Sequence, residues 1–203
     1  MSKTTNLSAL SDVVSVDGNG KIVAPGFQGT SYYHSATGQP DWYTANYQGD
    51  FYINGNGGDR LKIDSSGRVT MPYQPAFLGR DLGVIPSQSG IYSGFGTIDH
   101  NRGNHYNNST GAFTCPVSGV YFFWANIRTN DNLSGRDEST RFVVNGSFQN
   151  WTEIWTGETY DASSGRAGHV NVMTMYLNTG DYVQMDLRND TAMHAAFGGY
   201  LIG

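Results

Sequence analysis

Sulfur chemistry is nearly absent from this sequence: Cys115 is the one cysteine in 203 residues. An intrachain disulfide framework is therefore excluded, and a thiolate zinc site lacks its second soft ligand. Charge is also scarce, at 14% of residues, too little for the charge-laced surfaces of long helices or coiled coils. The balance of 12 basic against 17 acidic residues gives a net charge of −5, which offers nothing for phosphate neutralisation. A nucleic-acid partner is not expected. The longest apolar run, Val120 to Ala125, is far too short to span a bilayer. The opening Met1-Ser2-Lys3-Thr4-Thr5-Asn6 carries neither the apolar stretch nor the cleavage site of a secretory leader. Neither membrane insertion nor secretion by that route is expected.

What the chain has in abundance is Gly (27), Tyr (13) and Phe (10), a composition of strands and turns. Two segments repeat a pattern. Val14-Ser15-Val16-Asp17-Gly18-Asn19-Gly20-Lys21-Ile22-Val23 aligns with Leu61-Lys62-Ile63-Asp64-Ser65-Ser66-Gly67-Arg68-Val69-Thr70, each with alternating apolar positions around an Asp- and Gly-bearing turn. Both read as β-hairpins. Between them lies a Tyr- and Gly-rich stretch with a strand-like Phe51-Tyr52-Ile53, too poor in aliphatics to build a core alone. Three copies winding together would bury the apolar stripes. Pro72 and Pro75 then mark a stiff boundary. The expected organisation is an N-terminal arm over residues 1–72 and a head over residues 73–203.

The head reads as a β-sandwich. Ala76–Leu78, Ala112–Cys115, Val120–Arg128, Thr140–Asn145, Phe148–Trp155, His169–Leu177, Tyr182–Leu187 and Ala195–Ile202 alternate or run apolar, with turn residues between them. The strand from Val120 is apolar on both faces, so one face meets the core and the other needs a partner.

Four segments in fixed order carry a resemblance. They are Gly111-Ala112-Phe113-Thr114-Cys115-Pro116-Val117-Ser118-Gly119-Val120-Tyr121-Phe122-Phe123, Phe142-Val143-Val144-Asn145-Gly146, Tyr176-Leu177-Asn178-Thr179-Gly180-Asp181-Tyr182-Val183 and Phe197-Gly198-Gly199-Tyr200-Leu201-Ile202. Over about residues 75–203 the chain resembles the complement-component-1q-like head, a tumour-necrosis-factor-like jelly roll. The resemblance implies an all-β fold and a homotrimer, with Tyr121, Phe123, Phe197 and Tyr200 as candidate trimer-interface residues. No collagen-like Gly-x-y stalk precedes this head, which points away from a complement or hormone role. The arm supplies another context. Asp59-Arg60-Leu61-Lys62-Ile63-Asp64-Ser65-Ser66-Gly67-Arg68-Val69 looks like a short motif of bacteriophage tail fibres, and Met71-Pro72-Tyr73-Gln74-Pro75-Ala76-Phe77 is similar to the junction before phage heads. This implies a virion appendage protein whose arm contacts other virion proteins and whose head meets a host surface glycan or protein.

Strand parity orients the head. The tight turns at Pro116–Gly119, Asn145–Ser147 and Asn178–Gly180 should share one end with the start near Pro75 and the finish at Gly203. The long connections, 130–138, 157–167 and 189–194, should crown the other. Loops on a rigid sandwich are where binding residues collect. The candidates there are Arg136, Asp137, Glu138, Glu158, Tyr160, Asp161, Arg166, Asp190 and His194, with Asp131 beside them; the carboxylates could supply oxygen ligands to a divalent cation such as calcium. No other cofactor is implied. Trp151, Glu153 and Trp155 form a second candidate, since period-two alternation would put all three on one strand face. There Glu153 needs a partner such as Arg141 or Arg188 if buried, and the indoles form a subunit contact or a sugar platform if exposed.

Nothing points to catalysis. Cys115 alternates with Phe113 as a small buried hydrophobe, and the five histidines, His34, His100, His105, His169 and His194, lack metal-ligand spacing. Carboxylate pairs such as Glu153 with Glu158, or Asp137 with Glu138, come with no glycosidase signature. A binding role is expected. Its alternatives are a purely structural decoration protein of capsid or tail and, behind that, a glycan-degrading tailspike.

Overall fold

Alternating side chains become antiparallel strands throughout. The computed structural model describes residues 15–16, 22–23, 29–32, 42–55, 58–81, 88–129, 138–156, 168–189 and 193–203. The chain divides into two units, Met1–Pro72 and Tyr73–Gly203.

In the first unit, β1 (Ser15–Val16) and β2 (Ile22–Val23) pair as a hairpin with Val16 opposite Ile22. A five-stranded meander follows: β3 (Gly29–Tyr32), β4 (Trp42–Tyr47), β5 (Asp50–Gly55), β6 (Gly58–Ile63) and β7 (Val69–Thr70). Both repeated segments are thus hairpins. The second closes on Asp64, whose carboxylate accepts the backbone N–H of Ser66 and of Arg68, each at 2.9 Å, and the Arg68 side chain at 2.6 Å. Gly67 takes the turn's left-handed position with φ of 80°. Strands β3 and β4 were not legible in the Tyr- and Gly-rich stretch.

The second unit is a two-sheet sandwich. One sheet runs β10 (Thr97–Arg102), β8 (Ala76–Arg80), β19 (Met193–Leu201), β13 (Gly119–Thr129), β17 (Gly168–Leu177). The other runs β11 (Tyr106–Asn107), β12 (Ala112–Thr114), β18 (Tyr182–Asn189), β14 (Glu138–Val144), β15 (Ser147–Phe148), with β16 (Ile154–Thr156) also on β14 and β9 (Gln88–Ile91) also on β18. The expected single strand Phe148–Trp155 is instead β15, a 3₁₀ turn at Asn150–Thr152 and β16. The reason is local hydrogen bonding: the Thr152 hydroxyl donates to the Gln149 carbonyl at 2.7 Å and accepts from the Phe142 N–H at 3.0 Å, which bends the chain where alternation alone continued it.

The core is aromatic. Phe77 stacks on Tyr106 at 4.5 Å and on Phe113 at 4.9 Å, and meets Phe197 edge-on at 4.9 Å. Tyr121, Phe123 and Phe197 are each 0% exposed within the single chain. This corrects their expected role as trimer-interface residues. The odd-numbered side chains of β13 point inward, and the Tyr121 hydroxyl is already spent on the Val117 carbonyl at 2.7 Å. Gly198 and Gly199 make this packing possible. A Cβ on Gly199 would overlap the Phe123 ring, and one on Gly198 would meet the Trp124 indole at 2.8 Å.

The tight turns gather at one end with both chain connections. Thr179 donates its N–H to Ser118 Oγ at 3.0 Å, Asn145 Nδ2 donates to Asp181 Oδ1 at 2.8 Å, and Val120 N–H donates to the Gly203 carbonyl at 2.7 Å. Leu201 N–H donates to the Pro75 carbonyl at 3.1 Å. The strand ends flanking residues 130–137, 157–167 and 190–192 meet at the opposite end, where Arg128 pairs with His194 and with Gly168, and Ser139 pairs with Arg188.

Candidate functional site

The outer face of the five-stranded head sheet divides into two halves. Even-numbered residues of β13, β17 and β19 share it. Near the chain ends it is apolar: Val120, Phe122 and Trp124 are half-buried, while Val172 (53%), Tyr176 (62%) and Tyr200 (46%) are exposed. Phe122 and Tyr200 rings approach to 5.5 Å, so the surface is continuous across strands. Monomers rarely leave such a contiguous patch uncovered. Tyr200, a candidate interface residue, lies on this face; Val170, Val172 and Tyr176 are not legible from sequence, because both faces of β17 are apolar and alternation cannot choose between them.

Toward the far end the same face turns polar. The register sets Asn126 opposite Ala196 and Ala196 opposite Arg80, with Arg128 opposite His194. The short Ala196 side chain between longer neighbours leaves a pocket of about 320 Å³ lined by Arg80, Asp81, Asn126, Arg128, His194 and Ala196. Two of its charged groups are engaged. Arg80 forks onto Asp99, with Nη2 donating to Oδ1 at 2.8 Å, and that pairing raises the guanidinium pKa and lowers the carboxyl's. Asp81 accepts from the Gly96 N–H at 2.7 Å and from the Tyr92 hydroxyl. The Arg128 side chain is exposed and has no ion pair among the described residues.

A third surface lies on the other sheet. Trp151, at the 3₁₀ turn, is 65% exposed, and its Nε1 donates to Gln149 Oε1 at 3.3 Å. Its seat is rigid. The buried Asn171 amide donates to the Thr152 carbonyl at 2.6 Å and the Thr140 carbonyl at 3.1 Å, tying the turn to both sheets. Nearby, Arg141 lies 3.7 Å over the exposed Phe148 ring, donates to Asp186 at 2.8 Å and faces Glu153 at 3.7 Å. Glu153 therefore has Arg141 as partner, and Trp151 does not share a strand face with it.

Of the other crown candidates, Arg136, Asp137, Glu158, Tyr160, Asp161, Arg166 and Asp190 lie outside the described residues. Glu138 opens β14 and Trp155 sits in β16, each placed by its backbone. His194 is half-buried in the pocket. Among the described residues no cluster of three His, Cys, Asp or Glu side chains is placed to hold a metal ion. Cys115 is buried, and burial followed by the nearby Asp181 pushes its thiol up to about 12, which keeps it protonated. No helix among the described residues is long and apolar enough to cross a membrane.

An all-β sandwich with a jelly-roll-like strand order, its start at Pro75 and its finish at Gly203 together at the tight-turn end, defines the class. Residues 84–202 match the C1q domain, and the chain belongs to that family. The globular domain of zebrafish complement 1qA is similar in structure, with a TM-score of 0.51 at 20% identity over 64% of this chain and 98% of that one. At that identity the likeness is one of fold. The family is mainly one of recognition and binding domains.

Proposed function

We propose that this protein is a bacteriophage virion appendage, of tail-fibre type, whose C1q heads associate as homotrimers and bind a host surface glycan during adsorption. In this reading the first unit attaches to other virion proteins, and the chain acts by binding, without catalysis. The observation that carries it is the divided outer face of the head sheet. Its apolar half has the character of a subunit contact, and its polar half and the neighbouring loop end remain for a ligand. The Asp59–Val69 hairpin, with its resemblance to phage fibre motifs, supports the virion setting. Three heads on one axis turn a weak saccharide site into useful avidity.

Adsorption tests the reading. Purified protein should bind host cells and block phage attachment in proportion to occupancy. Particles that lack the protein yet adsorb at the normal rate would overturn it, and loss of particle integrity on warming would then favour a decoration role.

A further inference from the structure

We infer that the pocket at the polar half of the head sheet is a binding site for a carboxylate-bearing sugar, with Arg128 as the residue that takes the carboxylate. The inference deepens the receptor reading and rests on it for what displays the sugar. Charge selects the ligand. Arg80 is neutralised by Asp99, and Asp81 is held by Gly96 and Tyr92, so Arg128 is the cation that remains available in the pocket among the described residues. A guanidinium with no ion pair among the described residues, beside the Asp81 carboxylate, accommodates a monoanion better than a phosphate dianion, and its planar fork matches carboxylate geometry. The remaining lining suits a sugar ring. The Asn126 amide offers a donor and an acceptor to hydroxyls, Ala196 forms an apolar floor, and the His194 ring stands at the wall. A volume of about 320 Å³ has room for one small ring.

The site sits on the same face as the apolar half but toward the loop end, away from Gly203. Subunit contact through the apolar half therefore brings three copies of it to one end of the trimer. That placement makes a terminal or branching acidic sugar of a surface polysaccharide the natural occupant.

The test titrates the full chain with glucuronate, galacturonate and N-acetylneuraminate by calorimetry and saturation-transfer NMR. Glucose, galactose, acetate and inorganic phosphate serve as controls. At least one acid should bind about tenfold more tightly than its neutral counterpart, the scale of one charge-assisted pair. Arg128→Gln should abolish that preference, while Arg102→Gln, an exposed arginine at the end of β10 remote from Arg80, should leave it intact. The inference fails if no acid outcompetes the neutral sugars, if Arg128→Gln retains the preference, or if acetate or phosphate binds as well as the sugar acids. Host-cell adsorption separates the two levels. Adsorption without acid-sugar binding overturns the pocket assignment alone, and acid-sugar binding without adsorption overturns the receptor reading alone.

Discussion

Gly199 and His169 show how single residues constrain this head. At Gly199 the Phe123 ring occupies the space a side chain would need. Gly199→Ala should therefore cost about 1–3 kcal/mol through overpacking, read as a lower urea midpoint with an unchanged slope. His169 is held neutral by burial, which lowers its pKa from 6.5 to about 4; its Nε2 lies 2.8 Å from Thr140 Oγ1 and its Nδ1 is buried without a partner among the described residues. Because the unfolded chain binds this proton more readily, the contribution is full above about pH 6.5 and is lost as pH falls toward about 4. The expected loss is at most about 2 kcal/mol, since the ring keeps some solvent contact. His169→Gln should flatten the urea midpoint across that window; a midpoint equally steep in both proteins would remove His169 from the account.

The element most worth testing is the turn that carries Trp151. Asn171 spans the gap between sheets to hold it, so Asn171→Ala should cost about 1–3 kcal/mol and free the indole, seen as a drop in tryptophan fluorescence anisotropy. Elements also show where sequence was informative. The long head strands declared themselves by alternation, and the two hairpins of the first unit by their Asp- and Gly-bearing turns. Strands β9, β10 and β11 did not: Thr97–Arg102 is Thr-Ile-Asp-His-Asn-Arg, polar at most positions because an edge strand keeps one side in solvent. Face assignment was the weak point. The resemblance implies Tyr121 and Phe123 as trimer-interface candidates, whereas both are buried and Phe122 and Trp124 face outward, because a strand apolar on both sides carries no parity signal. The pocket was legible only at His194. Arg128, Asn126 and Arg80 converge through cross-strand register, which no local pattern encodes.

At the scale of the whole molecule, the low charge and aromatic surplus of the sequence find separate uses. Part of the surplus fills the core, with Phe77, Phe113, Phe123, Phe142 and Phe197 all buried. Another part, Trp124, Tyr176 and Tyr200, lies on the outer face of the sheet that holds β13, β17 and β19 and is unexplained by a lone head. Placing a charge there separates folding from assembly. Val172→Arg should leave the head folded, with its circular dichroism unchanged, and convert the assembly to monomers, whereas Trp151→Ala, on the other sheet, should change neither the fold nor the assembly. The most direct measurement is the mass of the unmodified chain in solution by sedimentation equilibrium. The account predicts three copies of the 22.1 kDa chain, stable on dilution. A stable monomer would contradict it, since the apolar half of the sheet would then have no partner.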